Sequence, residues 1–203
     1  KMSLAVRFPK HNITRNLLKE LKFPLAAPSA NLSSQISPVC VKDVKEDFGK
    51  KVKFVLEGGR SSIGLESTII DIRNKPKILR LGGLEIATIE KVLDKKILVN
   101  NKPSKISAPG QIKLHYSPGL PIRLNAKNTK DNEAFLLIKK KKKAQPNHFY
   151  LTKTSNLKEA AKNLYAVLRK IKKNKYKSIA VAKIPNKGLG KTINDRLIRA
   201  SKF

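Results

Sequence analysis

Apolar and polar positions change rhythm several times along the chain. MSLAVRF (2–8) reads as a strand, and VKFVL (52–56) as a strand closed by the turn Gly58-Gly59. STIIDI (67–72) and KILRL (77–81) are spaced to pair as a hairpin across Arg73 to Pro76. Residues 1–100 therefore read as an α/β unit. Residues 101–121, NKPSKISAPGQIKLHYSPGLP, hold four prolines and two glycines and follow neither the helical nor the strand period, which predicts a linker. Beyond it IRL, AFLLI, NHFYLT and SIAVAKI read as short strands. Leu157, Ala161, Leu164, Leu168 and Ile171 recur at the spacing of one helix face, and TINDRLIRAS reads as a second helix. Residues 122–203 thus form a second, smaller α/β unit, and no internal repeat is present.

One passage breaks the pattern. From Phe23 to Val41 there is no charged residue, although a chain with 29% charged residues would place about five in such a window. Within it PLAAPSANLSSQISP (24–38) carries three prolines and four serines. Phe23 and Ala27 precede prolines and are pushed towards extended geometry, so the loop is stiff. Ser37-Pro38 predicts a helix N-cap followed by proline at the first helical position, with Ile36 stapled onto Val41 and the helix running to about Phe48. A hydroxyl-rich turn entering a helix N-terminus is a ready anion site; simple capping is the alternative reading of the same residues.

Composition narrows the class. Hydrophobic content of 40% and a mean hydropathy of −0.37 are those of an ordinary globular protein. No apolar run approaches the roughly 18–20 residues of a membrane span, and KMSLAVRFPKH has no secretory apolar region, so the expected location is the cytoplasm and no membrane partner is expected. The single Cys40 excludes an internal disulfide and is expected to be a buried small residue. Lys and Arg number 45 against 14 Asp and Glu, a net charge of +31 that would attract nucleic acid or nucleotides. The excess is spread along the chain and aromatics are only 5%, so solvated lysine faces are the competing explanation. Lys139 to Lys143 follows AFLLI and reads as a strand end spilling into solvent. Glu66 and Asp71, five positions apart, fall on opposite faces of a strand and do not read as paired carboxylates. GLGKTINDR lacks P-loop spacing and reads as a turn into a helix with Asn194 and Asp195 near its first turn.

The opening loop is also where a resemblance begins. AAPSANLS followed by SP resembles the S-x-N half of the paired K-x-R and S-x-N motif of the YrdC-like family, whose long, two-domain form comprises the threonylcarbamoyl-AMP synthases. The likeness continues in order through AVRFPKH before it and EGGRSSIGLESTIID, ILRLGG, APG with HYSPG, and PNKGLGKTINDRLIRA after it. Ser34 stands where the family usually has glycine, and Thr192 where alanine is usual. The segment that carries the K-x-R half and a threonine-holding histidine is not found, and the first residue is lysine. The chain is therefore expected to lack roughly the first half of a catalytic domain, to be inactive alone, and to be aggregation-prone.

The resemblance implies a fold: the C-terminal part of a YrdC-like twisted mixed-sheet α/β domain, a proline-rich linker, and a small Rossmann-like α/β/α domain. It implies a nucleotidyl transfer in which L-threonine, bicarbonate and ATP, the last as substrate, give threonylcarbamoyl-AMP and pyrophosphate for threonylcarbamoyladenosine modification of tRNA beside the anticodon. Mg²⁺ is expected, with no protein ligands assigned. Expected partners beyond the substrates are tRNA or double-stranded RNA and the proteins of later tRNA-modification steps. By resemblance Arg7, Ala27 and Ser67 contact threonine, and Ser29, Asn31, Ser37, Arg80 and Tyr116 contact the nucleotide, Tyr116 from a linker that closes as a lid. No protein nucleophile is required, because the carbamate itself attacks the α-phosphorus. Taken alone, Asn31 is a turn asparagine, Ser67 a strand-start serine and Arg80 an outward strand residue. A non-catalytic RNA-binding protein on the same fold is the alternative, as is a short-form relative acting on another small molecule.

Overall fold

A computed structural model describes residues 3–100, 106, 108–112 and 114–202, so part of the predicted linker (101–105, 107 and 113) lies outside the described residues. The predicted hairpin forms: β1 (Ile69–Asp71) pairs antiparallel with β2 (Lys77–Arg80). Its turn is tied by Asp71, whose carboxylate accepts from the backbone N–H and the guanidinium of Arg73. The chain then crosses through α3 (Ile86–Leu93) to β3 (Leu98–Val99), which lies parallel to β2. Ile78, Leu81, Ile89 and Ile97 bury the small core of this crossover.

Two predicted strands are not strands. Residues 3–10 and 52–59 carry the right alternation but hydrogen-bond to no neighbouring strand, and pairing defines a strand. Their apolar side chains are left in water, with Leu4, Val6, Phe8 and Phe54 each more than four-fifths exposed. Between them lie α1 (Asn12–Glu20), which the sequence reading did not anticipate, and α2 (Val41–Phe48). The α2 end matches the expectation and the start does not. The helix begins three residues after Pro38, with Cys40 at its N-cap position and half-buried rather than buried. The capping function has passed to Asp43, whose carboxylate accepts the Val39 N–H at 2.8 Å, freeing the Ser37 hydroxyl for another partner.

The C-terminal unit follows its sequence closely. β4 (Ile122–Arg123), β5 (Glu133–Lys139), β6 (His148–Thr152) and β7 (Ser178–Val181) make a parallel sheet in the order β4-β7-β5-β6. β5 ends at Lys139 and the following lysines are exposed, as the charge run predicted. α4 (Leu157–Lys173) starts at an effective cap, the Asn156 side chain accepting from the N–H groups of Lys158 and Glu159. Its stripe of Ala161, Leu164, Leu168 and Ile171 is buried on the sheet together with Leu189, Ile193 and Leu197 of α5 (Leu189–Ala200). Asn194 and Asp195 sit in the second turn of α5 rather than its first, because the helix begins before the threonine that opened the predicted segment. Ile36 and Val39 of the uncharged loop, and Tyr116 of the linker, join the same apolar cluster, so one core runs across both units.

Candidate active site

The uncharged loop is held from two sides. Within it the Asn31 amide donates to the carbonyls of Leu32 and Gln35, the local turn bond that its residue type permits. From outside, the linker lies along it: the Ser117 N–H donates to the Ser34 carbonyl at 2.9 Å, and Gln35 and Ser117 form a parallel bridge. Ser34 itself has φ 63°, in the left-handed region that favours glycine.

The linker reaches its closest packing at His115 and Tyr116. Tyr116 is 1% exposed and lies in the inter-unit core. Its backbone has φ 62°, an uncommon conformation for a bulky residue that persists only when surroundings over-determine it. Those surroundings are the Tyr165 ring stacked at 6.0 Å, the Arg196 guanidinium over the ring face at 4.5 Å, and His115 at 3.9 Å. The Tyr116 hydroxyl comes close to the Arg80 side chain beside Gly110, where a Cβ would lie 2.3 Å from that hydroxyl. No hydrogen bond satisfies this buried hydroxyl among the described residues. Burial raises the Tyr116 pKa and lowers that of His115.

Arg80 leaves β2 sideways and donates twice to the Ser67 carbonyl, from Nε at 3.0 Å and Nη2 at 2.9 Å, and more weakly to Pro109 of the linker at 3.4 Å. Burial lowers its pKa, against the pull of Tyr116 and Glu66. The segment before β1 that carries Ser67 and the segment after β2 touch at Gly82, where a Cβ would stand 2.2 Å from the Thr68 nitrogen; only glycine permits this approach.

Between these segments and the second unit lies the Glu66 carboxylate, just before β1. Glu66 accepts from the Ser37 hydroxyl at 2.7 Å, the Tyr165 hydroxyl at 2.9 and 3.0 Å, and Arg196 Nε at 2.9 Å. Burial acts to raise its pKa, but the Arg196 charge and the hydrogen bonds from Ser37 and Arg196 hold the carboxyl below the usual range. Arg196, fully buried, also donates to Asp195 at 2.6 Å and to the Leu81 carbonyl at 2.6 Å. Burial opposes its charge, yet Tyr165, Glu66, Tyr116 and Asp195 together hold it firmly protonated. Thr192 adds a bond to the Gly82 carbonyl at 3.1 Å, the feature that distinguishes it from alanine here.

Of the candidate residues, the structure gathers Ser37, Ser67, Arg80 and Tyr116 around this centre. Arg7, Ala27 and Ser29 are exposed and lie on irregular chain, apart from any of the contacts described above. Glu66 lies before β1 rather than on it, so the opposite-face argument does not apply; Asp71 pairs with Arg73 and Lys77, and Glu66 with Ser37, Tyr165 and Arg196. Among the described residues no group of three His, Cys, Asp or Glu could hold a metal ion, and both Glu66 oxygens are already engaged by Ser37, Tyr165 and Arg196. The described residues therefore form no protein site for Mg²⁺. An open groove of about 480 Å³ lies by Lys45, Val52 and Phe54, but no candidate residue lines it.

The chain is similar in sequence and fold to known proteins. Residues 1–82 match the family described as telomere recombination (Sua5/YciO/YrdC), and residues 84–202 the threonylcarbamoyl-AMP synthase C-terminal domain. The chain is 32% identical to a threonylcarbamoyl-AMP synthase of Pyrococcus abyssi, aligning over 99% of this chain and 64% of that protein. It is 29% identical to that of Bacillus subtilis, over 98% of this chain and 63% of the relative. The crystal structure of P. abyssi Sua5 complexed with L-threonine superposes with a TM-score of 0.84 at 30% identity, covering 96% of this chain and 63% of that one. The chain thus spans a little under two thirds of the length of these relatives. Among the described residues no helix is long and apolar enough to cross a membrane. With both successive matches covering nearly every residue, and the second alone more than half of them, the chain belongs to the Sua5/YrdC family in its two-domain form, which carries the threonylcarbamoyl-AMP synthase C-terminal domain.

Proposed function

We propose that the protein to which this chain belongs forms threonylcarbamoyl-AMP and pyrophosphate from L-threonine, bicarbonate and ATP, in the cytoplasm, as the donor for threonylcarbamoyladenosine in tRNA. The observation that carries the reading is the near-complete superposition on a relative crystallised with L-threonine. The gathering of Ser67, Arg80 and Tyr116 at the inter-unit core supports it. In the reaction the carbamate oxygen of N-carboxylated threonine bonds to the α-phosphorus as the bond to the pyrophosphate oxygen breaks. Positioning and charge neutralisation are the protein's part, since no side chain need form a covalent intermediate. Arg80 supplies a fixed cation whose guanidinium is braced by two carbonyls. Tyr116, carried by the linker, supplies a ring that shuts water from a labile product. Arg7, Ala27 and Ser67 are assigned to threonine, and Ser29, Asn31, Ser37, Arg80 and Tyr116 to the nucleotide. Transfer to tRNA and its partner proteins follow from that product. The RNA-binding alternative is not favoured, because the matched relatives carry the name of the enzyme.

The test is pyrophosphate release by the full-length protein with ATP and bicarbonate, with and without L-threonine. Release that depends on L-threonine and not on L-serine is the expected result; no threonine-dependent release refutes the reading. Thermal stabilisation by L-threonine with an ATP analogue gives an independent check.

A further inference from the structure

Among the polar contacts between the two units, two groups stand out by their place in the structure. At the C-terminal half of α4, Arg169 pairs with Asp47 at 2.6 Å and donates to the Ile36 carbonyl, while Lys173 pairs with Glu46 at 2.7 Å. These tie α4 to α2 and the loop before it. The second group is the donation of Tyr165 and Arg196 to Glu66, of Arg196 to the Leu81 carbonyl, and of Thr192 to the Gly82 carbonyl. Every acceptor in this group is next to a residue of the candidate site, or one further along: Glu66 precedes Ser67, and Leu81 and Gly82 follow Arg80; in the first group only the Ile36 carbonyl adjoins such a residue, Ser37.

The second group is also cross-linked within the N-terminal unit. The Gly83 N–H donates to the Glu66 carbonyl at 2.8 Å, and Arg80 to the Ser67 carbonyl. The Glu66 side chain, 14% exposed, has both oxygens engaged and takes its third donor from Ser37. One carboxylate is thus the meeting point of the uncharged loop, the β1 entrance, α4 and α5. The same Arg196 and Tyr165 also clasp Tyr116.

We propose that Glu66 is a positioning residue through which Tyr165 and Arg196 of the C-terminal unit set the placement of Ser37 and Arg80 at the nucleotide and of Ser67 at threonine in the other unit. This rests on the proposed function, and it gives the C-terminal unit a task in the adenylylation step. A displacement of about 1 Å in groups that hold reactants is enough to cost on the order of 100-fold in rate. A carboxylate with three fixed donors suppresses such displacement; docking alone would need only the first group of contacts.

The experiment compares three variants of the full-length protein at a temperature where melting curves show each to be folded. Glu66→Gln keeps the volume and one acceptor oxygen, Tyr165→Phe removes a single donor, and Asp47→Asn weakens the ion pair on α2 while leaving the Arg169 bond to the Ile36 carbonyl in place. Pyrophosphate release is measured with ATP and L-threonine varied separately. Glu66→Gln should lower kcat/KM for ATP by about 10- to 100-fold and Tyr165→Phe by about 3- to 10-fold, with Asp47→Asn within about twofold of wild type. Glu66→Gln within twofold of wild type would overturn the proposal, as would an equal loss in Asp47→Asn, which would mark the contacts as docking only. If Glu66→Gln does not fold, Tyr165→Phe decides by the same comparison with Asp47→Asn. Should the wild type release no pyrophosphate, the enzyme reading fails by itself. Titration with a non-hydrolysable ATP analogue then reads the positioning: binding weakened about tenfold by Glu66→Gln but not by Asp47→Asn supports it, and equal binding overturns it.

Discussion

Replacing Arg196 by methionine keeps much of the side chain's volume while deleting its charge and all of its donors. The wild-type guanidinium is fully buried and donates to Glu66 at 2.9 Å, to Asp195 at 2.6 Å and to the Leu81 carbonyl at 2.6 Å. In the variant Asp195 still accepts from Arg199 at 3.2 Å, and Glu66 from Ser37 and Tyr165. The Leu81 carbonyl loses the donor it has. Breaking a buried ion pair from one side costs about 3–5 kcal/mol, and a buried carbonyl stripped of its donor about 1–3 kcal/mol. The surviving donors offset part of both, so the expected loss is about 4 kcal/mol at neutral pH. The pH dependence follows from Glu66, whose folded-state pKa lies below its ordinary value of 4.5. Such a group contributes stability that is present above its unfolded pKa and is lost as pH falls through the folded one. Without Arg196 the depression shrinks, so the gap between wild type and variant should be widest near neutrality and narrow below 4.5. Urea denaturation followed by circular dichroism, in a series of buffers descending through that pH, measures both. A loss under about 1 kcal/mol at neutral pH, or a gap that stays constant on acidification, would refute the reasoning.

Other substitutions test neighbouring parts of the same argument. Ser34→Gly should stabilise by about 0.5–1 kcal/mol, because a left-handed backbone is costly for any residue with a Cβ; an unchanged or lower urea midpoint would count against strain at that turn. Thr192→Ala removes a buried bond to the Gly82 carbonyl and should cost about 1 kcal/mol by thermal melting, whereas no loss would show that bond to be without net worth. His115 is held below its ordinary pKa of 6.5, by burial first and then by the nearby Arg196, Arg199 and Arg80, with Glu66 opposing. Its contribution is therefore complete above 6.5 and lost as pH falls through the lower folded value, and His115→Asn should flatten the stability profile below 6.5. An identical profile in that variant would remove His115 from the account.

What the sequence made legible was whatever depends on near neighbours. The hairpin of β1 and β2, the four strands of the second sheet and the α4 stripe from Leu157 to Ile171 follow local periodicity, and each buries the face its pattern marks. MSLAVRF and VKFVL show the limit of that logic: alternation sets which side chains share a face, but a ladder needs a second strand at hydrogen-bonding distance. Ser37 shows another limit. Its cap geometry was sound by type, yet Asp43 answered the local N–H and a carboxylate 29 positions away took the hydroxyl. Glu66 was the residue least readable from spacing, because its partners Tyr165 and Arg196 stand 99 and 130 positions along the chain. The one signal that touched it was its place inside GLEST, between the turn glycine and the candidate Ser67.

The exposed side chains at Leu4, Val6, Phe8 and Phe54 have a consequence for how the molecule behaves in bulk solution. They are sticky surface on a body that carries a charge of +31, so two opposing forces set the interval between one molecule and the next. In dilute buffer the like charges repel at long range and keep the apolar edges from meeting. Raising ionic strength from 0.1 M to 1 M shortens the screening distance from about 10 Å to about 3 Å, which is less than the depth of a single side chain layer. The chain should therefore be most soluble at low salt and should self-associate as salt is added, the reverse of a protein whose aggregates are held by charge.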